Sequence, residues 1–115
     1  MKSGIEIVLD ECIRQKEVKG YTPEHDDTHV NGELAEAAAA YAVPNGHHFR
    51  HKDISWKVDE ISRFDIWPFE ESAFKPTPEN RKKELAKAGA FIVAEIERLQ
   101  RLELKNNKNV PEDKN

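Results

Sequence analysis

The sequence predicts a small all-α domain of about three helices joined by an irregular, aromatic-rich connection. Three observations carry this expectation. The chain has 115 residues, below the length at which chains divide into separate cores. Apolar residues recur at spacings of three and four in three segments. Charged residues make up 35% of the sequence against 37% hydrophobic, with a mean hydropathy of −0.81, so a stable fold needs cleanly sided helices or a second chain. Residues 1–104 are expected to form one helical domain, and residues 105–115, polar and without periodicity, a disordered tail.

The first helix is expected from Ser3 to about Lys19, with Ile5, Val8, Leu9, Cys12, Ile13 and Lys16 on one side. Ser3 suits the N-cap and Gly20 the stop. A second start follows at once: Thr22 can cap, Pro23 fits the first helical position, and Glu24 favours the positive end of the dipole. This second helix is expected to run unbroken to Tyr41 or Ala42, ending before Pro44-Asn45-Gly46. Between Val43 and Asn80 the pattern is irregular and long for a loop, so short helical or hairpin pieces are expected there, for example within Ile54 to Phe64. Trp56, Val58, Ile61, Phe64, Ile66, Trp67, Phe69 and Phe74 should pack over the helices. The third helix is expected from Pro78 to about Leu104, where Leu85, Ala88, Gly89, Ile92, Ile96 and Leu99 form one apolar stripe.

Composition excludes several function classes. A single cysteine, Cys12, permits neither an internal disulfide nor a cysteine-based zinc site. A net charge of −4 argues against nonspecific nucleic-acid binding through phosphate neutralisation. No apolar run reaches the roughly 18 residues of a membrane span and no secretory segment opens the chain, so a cytoplasmic location is expected. Gly-rich phosphate loops and serine or cysteine nucleophile motifs are absent.

Chemistry concentrates on the second helix. Val30, Leu34, Ala37, Ala38 and Tyr41 share its core face, and His25, His29, Glu33 and Glu36 lie on or near the opposite one, each about a turn from the next. Such a face is either solvated or able to hold a divalent ion. Asp26 falls on the flank and Asp27 among the core positions, as a structural anchor or a ligand contact. Gly32 is placed inside the helix, where it costs about 1 kcal/mol relative to alanine. On the third helix Glu84 and Glu95 offer carboxylates toward a shared groove, as in bundle metal sites. His47, His48 and His51 beside Arg50 and Lys52 read as a local basic patch. The Tyr21 to His29 block is expected to line a polar pocket closed by the Trp67 to Lys75 segment, with Asp27 and Lys75 its charged members; the competing account is a buried hydrogen-bond network.

The run Gly20-Tyr21-Thr22-Pro23-Glu24-His25-Asp26-Asp27-Thr28-His29, followed by Gly32-Glu33-Leu34-Ala35 and the segment Ala37 to Ala42, resembles small phage and prophage proteins of a largely uncharacterised family. Trp67-Pro68-Phe69, Phe74-Lys75-Pro76 and Leu85 to Leu99 look like its remaining blocks. A partial similarity links the chain to all-α nucleoside triphosphate pyrophosphohydrolases of the MazG and dimeric dUTPase type. In those enzymes paired carboxylates on two helices hold magnesium against a triphosphate. Glu33 and Glu36 match the first pair; Glu84 is followed three residues later by Lys87, and the third helix has no Asp. That departure from the enzymes' pattern argues against hydrolysis and leaves nucleotide binding open.

These readings lead to a nucleotide or related phosphorylated metabolite as ligand. Tyr21, His25, Asp26, Asp27, His29, Trp67 and Lys75 are expected to contact it, with Mg²⁺ or Mn²⁺ on Glu33, Glu36 and Glu95. If the chain is an enzyme, the reaction is metal-assisted release of pyrophosphate. The alternative function is a protein-interaction or inhibitory module that grips a host factor through Trp67, Phe69 and Phe74. A homodimer is also expected, because the aromatic segment carries more apolar surface than three helices need.

Overall fold

The computed structural model describes residues 1–50, 58–60 and 62–107. Helix α1 spans Gly4–Glu17, α2 Pro23–Asp26 and α3 Glu33–Ala42. Strands β1 (His48–Arg50) and β2 (Val58–Glu60) pair antiparallel, with Phe49 opposite Asp59. Helix α4 covers Arg63–Ile66, a 3₁₀ turn covers Glu71–Ala73, and α5 runs from Arg81 to Asn107. Among the described residues the domain is all-α apart from that hairpin. Trp56, Ile61, His51 and the segment 108–115 expected as a tail lie outside the described residues; Lys105 to Asn107, placed in that tail by sequence, belong to α5.

Local signals act as expected at the first two starts. Ser3 and Glu6 form a reciprocal capping box, Ser3 Oγ accepting from Glu6 N–H and Glu6 Oε1 from Ser3 N–H. The chain leaves α1 through Gly20 at φ +71°, a left-handed turn open to glycine without strain. Thr22 Oγ1 accepts from His25 N–H, and Pro23 occupies the first helical turn.

The unbroken second helix is not what forms. α2 stops at Asp26 in tight turns, with Thr28 N–H donating to His25 O and His29 N–H to Asp26 O. α3 begins only after Gly32, which sits at φ +84° as its N-cap. Asn31-Gly32 is a turn dipeptide, and the left-handed geometry it supplies outweighs the helical periodicity around it. Glu33 secures the turn by accepting from Asn31 N–H at 2.5 Å. Glu33 and Glu36 therefore stand on a different helix from His25, and the four-residue polar face is not continuous.

α5 forms the centre of the domain. α1 lies along it in the same direction, Val8 against Gly89 and Lys16 Nζ 3.6 Å from Glu97 Oε1. α3 lies on its other side, antiparallel, because the C-terminus of α3 meets the N-terminus of α5. Arg81 donates to the Tyr41 and Ala42 carbonyls at 3.2 and 2.7 Å, satisfying two groups that a helix end leaves unpaired. Glu84 then joins Arg81 at 2.7 Å to Arg63 at 2.8 Å, and accepts from Thr77 N–H at 2.9 Å. Glu84 is fully buried. Its two arginines outweigh the desolvation that would raise its pKa and hold it below the usual carboxylate range.

The core gathers on one side of this three-helix layer: Leu34, Ala37, Ala38, Ala40 and Tyr41 from α3, Ala88 and Phe91 from α5, with Trp67 and Phe74 above them. Tyr41 is its hub, stacked on Phe91 and in contact with Trp67 and Phe74 at ring distances of 4.9–6.1 Å. Its hydroxyl accepts from Lys75 N–H at 2.9 Å, pinning the connection to the helices. Large side chains buried in this way contribute about 1.5–3 kcal/mol each. Two expectations fail here. Val30 is exposed, since it lies in the break rather than on a helix. The stripe of Leu85, Ile92, Ile96 and Leu99 is half-exposed, because Ala86, Ala88, Ala90 and Phe91 are the residues of α5 that meet α1 and α3.

Candidate functional site

The break after α2 decides which carboxylate enters the protein. Asp26 is buried at 5% exposure, while the Asp27 side chain, expected in the core, is about half-exposed. Asp27 receives Arg101 from α5 in a forked contact, Nη2 to Oδ1 at 2.8 Å and Nε to Oδ1 and Oδ2 at 3.1 and 3.3 Å. That bond holds its carboxyl below the ordinary range. Asp27 is thus a surface clamp between α2 and α5 and no part of the pocket.

Asp26 faces inward. No hydrogen bond reaches its carboxylate among the described residues, and burial pushes its pKa up against the favourable charges of His25, Arg101, His29 and Lys16. It borders a cavity of about 230 Å³ lined by Tyr21, His25, His29, Leu34, Phe69, Glu70, Ala73 and Phe91. Four rings rim this cavity in sequence. Tyr21 stacks on His25 at 5.7 Å, His25 meets His29 edge-on at 5.0 Å, and His29 meets Phe69 at 4.8 Å. His29 Nδ1 also lies 3.8 Å from Glu33 Oε2, which orients its ring.

Beside it opens a second cavity, about 320 Å³, with a different character. Arg14, Lys19, Lys75, Lys83 and Lys87 line it, with Glu11 and Gln15 on α1 and Tyr41 and Trp67 at its floor. Glu11 is committed to Arg14, at 2.8 and 2.6 Å. Lys87 is buried; its Nζ donates to the Lys75 carbonyl at 2.9 Å and lies 5.3 Å from the centre of the Tyr41 ring. Burial, followed by the nearby charge of Lys83, lowers its pKa. Tyr21, Ala73 and Phe91 line both cavities, so the two adjoin at these residues as the aromatic, acidic end and the basic end of one cleft region.

The structure therefore brings Tyr21, His25, Asp26 and His29 together at one end of the cleft and Trp67 and Lys75 at the other, with Phe69, Glu70 and Ala73 of the connection closing it. The contribution of Arg14 on α1 and of Lys19 in the turn after it was not legible in the sequence. On a wheel Arg14 looks like a solvent charge; only the packing of α1 on α5 sets it beside the cavity that Lys83 and Lys87 line.

The carboxylates expected to hold a metal do not assemble. Among the described residues no group of three or more His, Cys, Asp or Glu side chains stands close enough to bind one ion. Glu95 is bonded to Arg98 at 2.6 Å, Glu36 is exposed, and Glu33 serves the Asn31 turn. Glu84 is closed within its arginine pair. Trp67 and Phe74, proposed as exposed anchors for a host factor, are core residues at 7% and 5% exposure, and the Trp67 indole N–H donates to Glu70 O at 2.9 Å. No helix among the described residues is long and apolar enough to cross a membrane. No protein-family model, curated protein or solved structure matches this chain.

Proposed function

We propose that this protein binds a nucleotide, its base in the aromatic end of the cleft against Asp26 and its phosphates in the basic end. The observation that carries this reading is the sharing of Tyr21, Ala73 and Phe91 by two cavities of opposite chemistry. A flat heteroaromatic ring suits a cavity rimmed by Tyr21, His25, His29 and Phe69. Asp26, with two acceptor oxygens and no protein donor, suits the N–H groups of a base edge. Lys19, Lys75 and Lys83, beside the Arg14 that Glu11 already pairs, suit the charge of a polyphosphate. The resemblance of the Glu33-x-x-Glu36 pair to pyrophosphohydrolases is in keeping with a nucleotide ligand. The reading is one of binding; any turnover would come from a group outside the four metal carboxylates considered above.

Isothermal titration with nucleoside triphosphates, the matching nucleosides and inorganic triphosphate tests it. Both halves of the cleft contribute if at least one nucleotide binds more tightly than its nucleoside and than triphosphate alone. Lys75→Gln with Lys83→Gln should weaken nucleotide and triphosphate and leave nucleoside binding unchanged. Absence of binding to all canonical nucleotides at millimolar concentration would overturn the proposal.

A further inference from the structure

α1, α5 and α3 form a layer whose one face is covered by α2 and the Trp67–Lys75 connection. No other described residue covers the opposite face. Four of its members stand on α5, Leu85, Ile92, Ile96 and Leu99, each between 42% and 51% exposed. Successive spacings of seven, four and three residues keep them in one line along the helix, as in a coiled-coil seam. α1 adds Ile5, Leu9 and Ile13 at 84%, 55% and 45%. Because α1 runs parallel to α5 with Val8 on Gly89, helical rotation turns these residues to the same side as the α5 seam. The seven side chains present roughly 600–700 Å² of surface, beyond what most monomers leave in one patch and close to the ~800 Å² per partner of a standard stable interface.

We infer that this face is covered by a second copy of the chain, with the two α5 helices crossing antiparallel about a two-fold axis near Ile92. Charge selects this occupant and this direction. The seam begins at Lys82 and ends at Glu103, both exposed and neither in an ion pair among the described residues. An antiparallel pair sets Lys82 of each copy beside Glu103 of the other, Leu85 beside Leu99, and Ile92 beside its own counterpart. A parallel pair would set lysine on lysine and glutamate on glutamate. A two-fold contact is self-complementary and closes, so it ends at a dimer. Phe91 and Lys87, which line the cleft, lie about 100° or more around α5 from the seam, so pairing leaves the cleft open.

Sedimentation velocity on the full chain from about 1 to 100 µM tests this inference, with helical circular dichroism to confirm folding. The expected result is a dimer that Ile92→Asp or Ile96→Asp converts to a folded monomer. Lys82→Glu and Glu103→Lys, both at exposed positions, should each weaken dimerisation by about fivefold, since symmetry puts every change at two rim contacts. The double exchange should restore the wild-type constant to within about twofold. A wild-type chain that stays monomeric at 100 µM overturns the inference, as does a dimer indifferent to Ile92→Asp. Failure of the double exchange to rescue overturns the antiparallel arrangement.

Discussion

Asp26→Asn should move stability and ligand binding in opposite directions. Asp26 is a buried residue whose carboxylate accepts no hydrogen bond among the described residues, keeps some contact with water through the cavity, and carries a pKa raised chiefly by burial. A folded pKa above the unfolded value means that the folded state holds the proton more tightly. Stability therefore falls as pH rises from the unfolded value, near 3.9 for Asp, through the folded one, and at neutral pH the full penalty stands. The amide keeps the shape and removes the charge. Relief of at most about 1 kcal/mol is expected, the low end of the ~1–3 kcal/mol for an unpaired buried polar group, because water at the cavity screens part of the charge. For a domain of this size 1 kcal/mol corresponds to about 4–8 °C in Tm.

Binding responds the other way. A hydrogen bond to a charged acceptor contributes about 1.5–3 kcal/mol, so losing it should raise the nucleotide Kd roughly 10- to 150-fold. The wild-type affinity should also fall as pH drops through the raised Asp26 pKa, a region where an ordinary aspartate remains ionised. The variant should lose that component. Thermal melts at pH 7 together with calorimetric titration between pH 5 and 8 read both effects. A variant that melts below wild type and binds with unchanged affinity would show that Asp26 is a structural acceptor and not a ligand contact.

Three further outcomes follow from the same geometry. Glu84→Gln should destabilise by about 3–5 kcal/mol in urea unfolding, because it leaves the buried Arg63 guanidinium without its counter-charge. The Glu84 pKa is depressed, so its stabilisation is present above the unfolded carboxyl pKa and is lost as pH falls through the folded one; the variant should lack that part of the acid transition. Gly32→Ala should cost about 1–2 kcal/mol, since a left-handed φ of +84° penalises any Cβ, whereas in an unbroken helix the same change would stabilise by about 1 kcal/mol. Asp27→Ala should leave nucleotide affinity at the wild-type value in calorimetry, because the side chain pairs with Arg101 outside the cleft.

What was legible in the sequence is what local chemistry decides. Ser3, Thr22 and Pro23 announce helix starts through their own side chains, and Gly20 through its backbone freedom, so those boundaries needed no tertiary information. Gly32 was visible as a breaker and yet was assigned a cost within a helix, because the apolar spacing of Val30, Leu34, Ala37 and Tyr41 runs straight across it. Helical periodicity persists through a turn whenever the residues on both sides happen to share a phase. One left-handed residue then resets the direction of the chain, and with it the inward residue changes from Asp27 to Asp26. The density of polar groups in Tyr21 to His29 marks that block in the sequence; which of its acids is buried depends on an angle that no spacing rule carries.

The α5 stripe failed for a different reason, which also explains the shape of the molecule. A hydrophobic stripe states that a face avoids water, and nothing in it says whether this chain or another one provides the cover. Small residues decide that question. Ala86, Ala88 and Ala90 let α1 and α3 approach α5 closely, and Gly89 admits Val8 to within 3.0 Å of where a Cβ would stand. Close approach on those sectors leaves the larger Leu85, Ile92, Ile96 and Leu99 on the sector that no described element of this chain reaches. Meanwhile the aromatic connection, with Trp67 and Phe74, spends its apolar surface on the opposite face, over Tyr41 and Phe91. The surplus of apolar surface expected of so charged a chain is real, but it lies on the helices, and the cleft and the bare seam stand on opposite faces of α5.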